Sequence, residues 1–377
     1  MLIYSFPVCC YTDTLNRKDT SNMTNLFSAD SLPALIGSLP MDDHGKAIDL
    51  VLEHAPEIPL WVQLPCFPEE GMMAQFLPGM PGLKTRGTKK FIDTNDPGFD
   101  QELIDFYEEY IAVTEGGADL SGSRFQLTPE TAAGFFAFLD KLNSNTAKPK
   151  ALKAQITGPI TFGLGVTDQD DRAIFYDDRL RDAMVKLIAL KARWQVQQLK
   201  QQGLPVIVFF DEPALTGFGS SAFISITKED IAACFQEVID AVHAEGGLAG
   251  VHVCANAEWS LILDSPADIV SFDAYGYFDK FILYADDLRQ FLAAGKIIAW
   301  GIVPTLNADD LEKESRESLL ALWRERAARV ADLGIDPAVI KAQSLITPAC
   351  GTGSLNLEQA VRVLKLTREI SQAIRSE

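Results

Sequence analysis

The sequence predicts an α/β chain of the (β/α)8 TIM-barrel class, on three observations. Eight short aliphatic and β-branched runs, bounded by Gly, Pro and Asp, recur along its length. Most are near-continuous in apolar residues, as in parallel strands covered on both faces. Segments with apolar residues at helical spacing lie between them, and that alternation builds a barrel. An open doubly wound sheet is the competing architecture.

The expected strands are 34–39, 60–64, 151–156, 206–211, 248–254, 268–273, 296–303 and 343–347. Helical spacing runs through 179–202, 309–333 and 357–374, the last with Asn356 as N-cap. Thr227, followed by acidic residues, opens another helix to 245. Residues 65–150 break the beat between the second and third strands. They hold a Pro-, Gly- and Met-rich stretch at 65–83 and a helical pattern at 129–143. A structureless loop of that length is unlike compact domains, so a long excursion over the barrel mouth is expected, with helices of its own. Residues 28–377 read as one barrel domain. Residues 1–27 read as a poorly defined extension without usable periodicity, with Met23 as an alternative start.

Composition narrows the function classes. Of 377 residues, 47% are hydrophobic and 23% charged, a core-forming profile. The net charge of −19, from 33 basic and 52 acidic residues, disfavours nucleic acid and anionic membrane as partners. A small molecule or a protein fits better. Six cysteines at 9, 10, 66, 234, 254 and 350 are scattered without a disulfide framework, which suits reduced thiols in the cytoplasm. No apolar stretch reaches the roughly 18 residues of a membrane span. The apolar run 2–11 lacks the basic flank of a signal peptide.

Barrel chemistry gathers at the C-terminal ends of strands, and the unusual residues fall there. His252-Val253-Cys254 ends the fifth expected strand, Asp273 the sixth, and Cys350 follows the eighth. His252 and Cys254, spaced i and i+2, point to the same side, so both reach one metal ion. A distant thiolate then completes a soft set of the kind zinc prefers. Taken singly, each also reads as a core residue. Asp211-Glu212 reads equally as a cap with a first-turn acid or as two carboxylates for a substrate ammonium. Ile36-Gly37-Ser38 reads as a tight turn or as a loop offering donors to a carboxylate. Cys9, Cys10, Cys234, His44, His54 and His243 have no such placement and read as structural or solvated.

At these motifs the chain resembles the cobalamin-independent methionine synthase family, in a wider group with corrinoid methyltransferases and uroporphyrinogen decarboxylase. Ile36-Gly37-Ser38-Leu39-Pro40 looks like its substrate-carboxylate loop. Thr157-Gly158-Pro159-Ile160-Thr161 and Asp211-Glu212-Pro213-Ala214-Leu215 are close to internal motifs. His252-Val253-Cys254 with the later Pro348-Ala349-Cys350-Gly351 matches its zinc-ligand pattern. The similarity spans about 34–350, and the family's two-barrel synthases would be represented here by the catalytic barrel alone.

The resemblance implies zinc held by His252, Cys254 and Cys350, with Asp273 where the family has a fourth carboxylate, usually Glu. It places an amino-acid carboxylate at Ile36, Gly37 and Ser38 and the amino group at Asp211, beside Glu212. Cys66 stands where the family carries a substrate-binding Glu, with Glu69 or Glu70 as substitutes. Gly165 stands where a pterin-stacking Trp is expected, so the donor is a methylfolate or a methylcorrinoid, the latter on a carrier protein. The implied reaction is zinc-dependent methyl transfer to a thiol, homocysteine first and one such as coenzyme M second. The rivals are a metal-free decarboxylase of the uroporphyrinogen type and a catalytically idle zinc-binding or corrinoid-handling accessory protein. The decarboxylase would need arginines around the first strand, and there is none between Arg17 and Arg86.

Overall fold

Parallel pairing accounts for most of the sheet. In the computed structural model, described for residues 27–144, 148–220, 223 and 225–377, seven parallel strands form one curled sheet. They are β1 (Leu32–Pro33), β4 (Leu152–Thr157), β5 (Val206–Asp211), β6 (Leu248–Val253), β7 (Ile269–Phe272), β8 (Ile297–Val303) and β9 (Ser344–Pro348), in the order β1-β9-β8-β7-β6-β5-β4. Two others, β2 (Leu83–Arg86) and β3 (Lys89–Ile92), make a separate antiparallel hairpin. The architecture is α/β and TIM-barrel-like. Apart from Phe27, the expected N-terminal extension lies outside the described residues.

Two expected strands take a different form. The ladder of the first is confined to Leu32–Pro33, ahead of the expected 34–39, because Gly37 turns the chain at φ 149°. The second, 60–64, forms isolated bridges only, flanked by Pro59 and Pro65. Leu60 bridges to Lys153 on β4 and Gln63 to Ser38 beyond β1, so this segment lies between the two edges of the sheet. The backbone bonds Lys153 N to Pro59 O (2.9 Å) and Leu39 N to Gln63 O (3.1 Å) fix it there.

Helix starts follow the side chains that satisfy their free N–H groups. Asp177 caps Asp178–Lys200, and Thr227 with Asp230 forms a capping box on Lys228–His243. Asn356 with Gln359 does the same for Leu357–Arg375. The expected helix 309–333 is instead two, Ala308–Lys313 and Arg316–Ala331, because Ser315 and Ser318 form a capping box that starts the second. The excursion carries the 3-10 turn Pro68–Glu70, the β2–β3 hairpin turning at Gly87 (φ 64°), and helices Phe99–Thr114 and Ala133–Ser144. Among the described residues, no helix is long and apolar enough to cross a membrane.

The strand pleat gives the sheet two different faces. Ile207, Phe209, Leu248, Ile269, Ile297, Ala299 and Leu345, with Phe27, Leu32 and Ile36, form a separate buried apolar cluster. Two-residue spacing continues this face along each strand to Asp211, His252, Ser271 and Thr347. The inner face is therefore an apolar floor with a polar layer above it, at the C-terminal strand ends. Lys153 and Gln155 join that layer from β4 and are fully buried. Gln155 Nε2 donates to Trp61 O at 2.8 Å, Gln63 Nε2 to Gln75 Oε1 at 2.6 Å, and Gln75 Nε2 to Thr131 O at 2.8 Å. Together these amide bonds link β4 to the 60–64 segment and that segment to the excursion.

The excursion also packs backbone against backbone. A Cβ on Gly134 would collide with the carbonyl oxygen of Val62. Helix propensity favours Gly134→Ala by up to about 1 kcal/mol, but displacing the 60–64 segment costs about 1–3 kcal/mol. Urea unfolding should therefore show Gly134→Ala less stable than wild type. A more stable variant would mean that the helix and the segment are not held in this contact.

Candidate metal and substrate site

His252 enters the polar layer from β6, and Cys254 follows two residues later on the same side. Cys350 arrives from the turn after β9. One ligand atom from each lies within 4.8 Å of the others, a group that can hold a metal ion. Ser271, paired in register with His252 on β7, contacts the ring Nδ1 at 2.9 Å. Nε2 is buried with no hydrogen-bond partner. A buried nitrogen left without a partner is costly, and ligation of a metal would satisfy it. Burial, with a smaller push from the positive charge of Lys153, brings the imidazole pKa down to about 3. The ring is thus neutral, as a metal ligand must be.

The thiols are tied to each other. A hydrogen bond from Cys350 favours the thiolate on Cys254 and lowers its pKa, while the same bond and burial push Cys350 up. All four cysteines among the described residues are free thiols. One neutral imidazole and two sulfurs supply three ligand atoms for a single metal ion.

Asp273 is not in this group. Its carboxylate N-caps the helix Ala274–Phe281, Oδ1 accepting from Gly276 N at 2.7 Å. Burial raises its pKa to about 6 against the pull of the helix N–H groups. It stands on the wall near Cys254, whose thiol its charge disfavours from ionising.

The Asp211-Glu212 pair splits. Adjacent residues of a strand point to opposite faces, so the two carboxylates do not share the mouth. Asp211 pairs in register with His252 and faces inward, its Oδ1 buried and unpartnered. Burial raises its pKa and the attraction of Lys153 opposes that rise. Glu212 is turned to the start of the helix Pro159–Gly165. Oε1 accepts from Ile160 N at 2.9 Å, and Oε2 accepts from Thr161 N at 2.7 Å and Thr161 Oγ1 at 2.6 Å. A Cβ on Gly158 would collide with the Glu212 side chain, so the Thr157-Gly158-Pro159-Ile160-Thr161 motif is the seat of this carboxylate. The expectation of Glu212 as a substrate contact is corrected: its oxygens are occupied by the protein.

Ile36, Gly37 and Ser38 lie against the turn after β9, beside Cys350, Gly351 and Thr352. Ser38 O accepts from Thr352 N at 2.9 Å and Thr352 Oγ1 at 3.0 Å, and Ser38 Oγ accepts from Gly353 N at 3.2 Å. A Cβ on Gly37 would sit 3.0 Å from Gln63 Oε1 and 3.1 Å from the Gln155 amide carbon. Close approach, as well as backbone angle, thus requires glycine there.

Cys66 stays outside the group. It is exposed and its Sγ donates to Met41 O at 3.1 Å. Glu69 is exposed. Glu70 is buried between His44 Nε2 at 2.6 Å and Leu64 N at 2.8 Å, holding the loop after 60–64. A Cβ on Gly165 would meet Met73 Sδ at 2.8 Å, so Met73 occupies the space beside it. Lys153, Gln155 and Ser271 are site residues that the motifs do not reveal. Their signal was available: Lys-Ala-Gln alternation inside an apolar strand, and a Ser two residues before Asp273.

No protein-family model and no curated protein matches the chain. Among solved structures, a methyltransferase from Methanosarcina mazei aligns at 11% identity and TM-score 0.48, over 92% of this chain and 96% of its own. The tandem GH20 catalytic modules of the pneumococcal exo-β-D-N-acetylglucosaminidase StrH align at 11% identity and TM-score 0.43, over 92% and 86%. These two neighbours carry unrelated chemistries, so function has to be argued from the residues of this chain.

Glu212→Gln places an amide N–H₂ against donors that need an acceptor. It should lower stability by about 2 kcal/mol, measured by urea denaturation, and leave the metal stoichiometry unchanged. Unaltered stability with loss of ligand binding would return Glu212 to the substrate site.

Proposed function

We propose that the protein is a zinc-dependent S-methyltransferase, with His252, Cys254 and Cys350 holding zinc and a small thiol as methyl acceptor. The observation that carries this reading is the mutual reach of these three ligand atoms, with His252 Nε2 buried and unpartnered. In the same reading, the segment 60–64 is the eighth stave of a barrel, bridging β1 and β4.

Zinc, when bound, lowers the pKa of a coordinated thiol so that it binds as the nucleophilic thiolate. The residues of the chain prepare the rest. Ser271 orients the imidazole through Nδ1, a supporting contact that fixes tautomer and ring plane. The Cys254 and Cys350 thiolates offset the charge of the ion, so the acceptor sulfur retains electron density for attack. Asp211 offers its unpartnered Oδ1 to an acceptor ammonium. The Ile36-Gly37-Ser38 loop, packed against the turn that carries Cys350, receives the carboxylate in this reading. Holding acceptor and donor in line supplies much of the rate. Asp273 holds Gly276 N through Oδ1 and lies outside the three-ligand group.

Homocysteine is the first acceptor in this reading and coenzyme M the second. With Met73 beside Gly165, where the resemblance expects a stacking Trp, a methylcorrinoid on a carrier protein is preferred over methylfolate as donor.

Purified protein should contain about one zinc per chain, and Cys350→Ala should lose most of it while keeping its far-ultraviolet circular dichroism. Cys66→Ser should retain wild-type zinc. Zinc-loaded wild type with methylcobalamin should convert homocysteine to methionine. Zinc content unaffected by Cys350→Ala would remove Cys350 from the ligand set. Bound zinc without methyl transfer from either donor class would favour the accessory role.

A further inference from the structure

Two lysines are buried among the described residues, Lys153 and Lys191. Lys191 lies on the helix Asp178–Lys200 and donates to Gln126 O at 3.0 Å, clamping the excursion. Lys153 is placed differently, on β4 and within the polar layer of the barrel. Its Nζ donates to Ile36 O at 2.9 Å, reaches Gln155 Oε1 at 3.4 Å, and lies 4.4 Å from the centre of the Phe209 ring. An ammonium has three N–H donors, so one remains without a protein acceptor. The bonded carbonyl belongs to the residue just before Gly37-Ser38, the loop assigned to a ligand carboxylate.

Asp211 on the adjacent strand is the counter-charge. Each supports the ionised form of the other across the interior, against the desolvation that both suffer. This pairing limits what enters, since an unpaired charge in a desolvated pocket is costly. A thiol carrying only an ammonium group makes the interior net positive and is repelled by Lys153. A carboxylate beside Ile36–Ser38 is met by Lys153, and a zwitterion is met at both ends.

We propose that Lys153 is a specificity-determining residue that makes the pocket select thiols bearing a carboxylate and, with Asp211, an α-amino-acid zwitterion. This rests on the reading of the site as a thiol-binding zinc centre. Lys153 acts through its buried charge and its hold on Ile36 O, not as a group that reacts.

The test is calorimetric titration of the zinc-loaded full chain at neutral pH with L-homocysteine, 4-mercaptobutyrate and 3-aminopropane-1-thiol. Wild type should bind homocysteine most tightly. Lys153→Met should weaken homocysteine and 4-mercaptobutyrate by about tenfold or more, the scale of a hydrogen bond to a charged group. It should leave 3-aminopropane-1-thiol unchanged or tighter. Equal weakening of all three would mark a merely structural lysine and overturn the proposal. If the unopposed Asp211 unfolds that variant, Lys153→Met/Asp211→Asn removes both charges together. The preference of wild type for homocysteine over 3-aminopropane-1-thiol should then fall about tenfold, and a preserved preference would overturn the proposal. Thiol binding by wild type with the same order of preference in Lys153→Met overturns the role of Lys153 alone. Zinc-loaded wild type that binds none of the thiols overturns the thiol-site reading and this proposal together.

Discussion

The pleat of the parallel strands, set over an apolar floor, governs the chemistry of this molecule. Side chains two apart share a face, so Ile207, Phe209 and Asp211 point the same way, as do Leu248 and His252. The floor keeps the interior dry at its base. Every polar residue above it is therefore desolvated and must be partnered, neutralised or left to bind something. His252 is held neutral, Lys153 and Asp211 share opposite charge, and Gln63, Gln75 and Gln155 are spent on one another and on carbonyls. Three side-chain atoms of this layer remain unpartnered: His252 Nε2, Asp211 Oδ1 and Thr347 Oγ1.

The first and last strands of the parallel sheet in chain order, β1 and β9, meet below this layer. The turn after β1 and the turn after β9 interlock through Ser38, Thr352 and Gly353. The glycines at 351 and 353 leave room for the Ser38 side chain, and a Cβ at Gly351 would displace it. Cys350 is thus positioned by the same contacts that shape the Ile36-Gly37-Ser38 loop.

Much of this was legible in the sequence because it depends on local rules. Six of the eight expected strands appear near their expected bounds, and the caps Thr227 and Asn356 sit where their side chains satisfy helix N–H groups. The co-location of His252, Cys254 and Cys350 followed from strand-end placement. What failed depended on tertiary geometry. The 60–64 segment is apolar enough for a strand, but it contacts its neighbours only at isolated bridges. The sequence leaves Asp211 and Glu212 open between a cap and a ligand pair, and only the pleat, which sends them to opposite faces, separates their roles. The Lys-Ala-Gln alternation puts Lys153 and Gln155 on one face of the strand but does not say which face is interior. The burial of Lys153 is visible only once Ile36 O and Phe209 are beside it.

The central claim is that one imidazole nitrogen and two thiolates bind a single zinc ion with a position left for an acceptor sulfur. Zinc K-edge X-ray absorption on the purified protein measures this directly. The account predicts two sulfur scatterers at about 2.3 Å and nitrogen or oxygen scatterers at about 2.0–2.1 Å, with a third sulfur appearing when homocysteine is added. A shell of nitrogen and oxygen alone, or a sulfur count that homocysteine does not change, would contradict it.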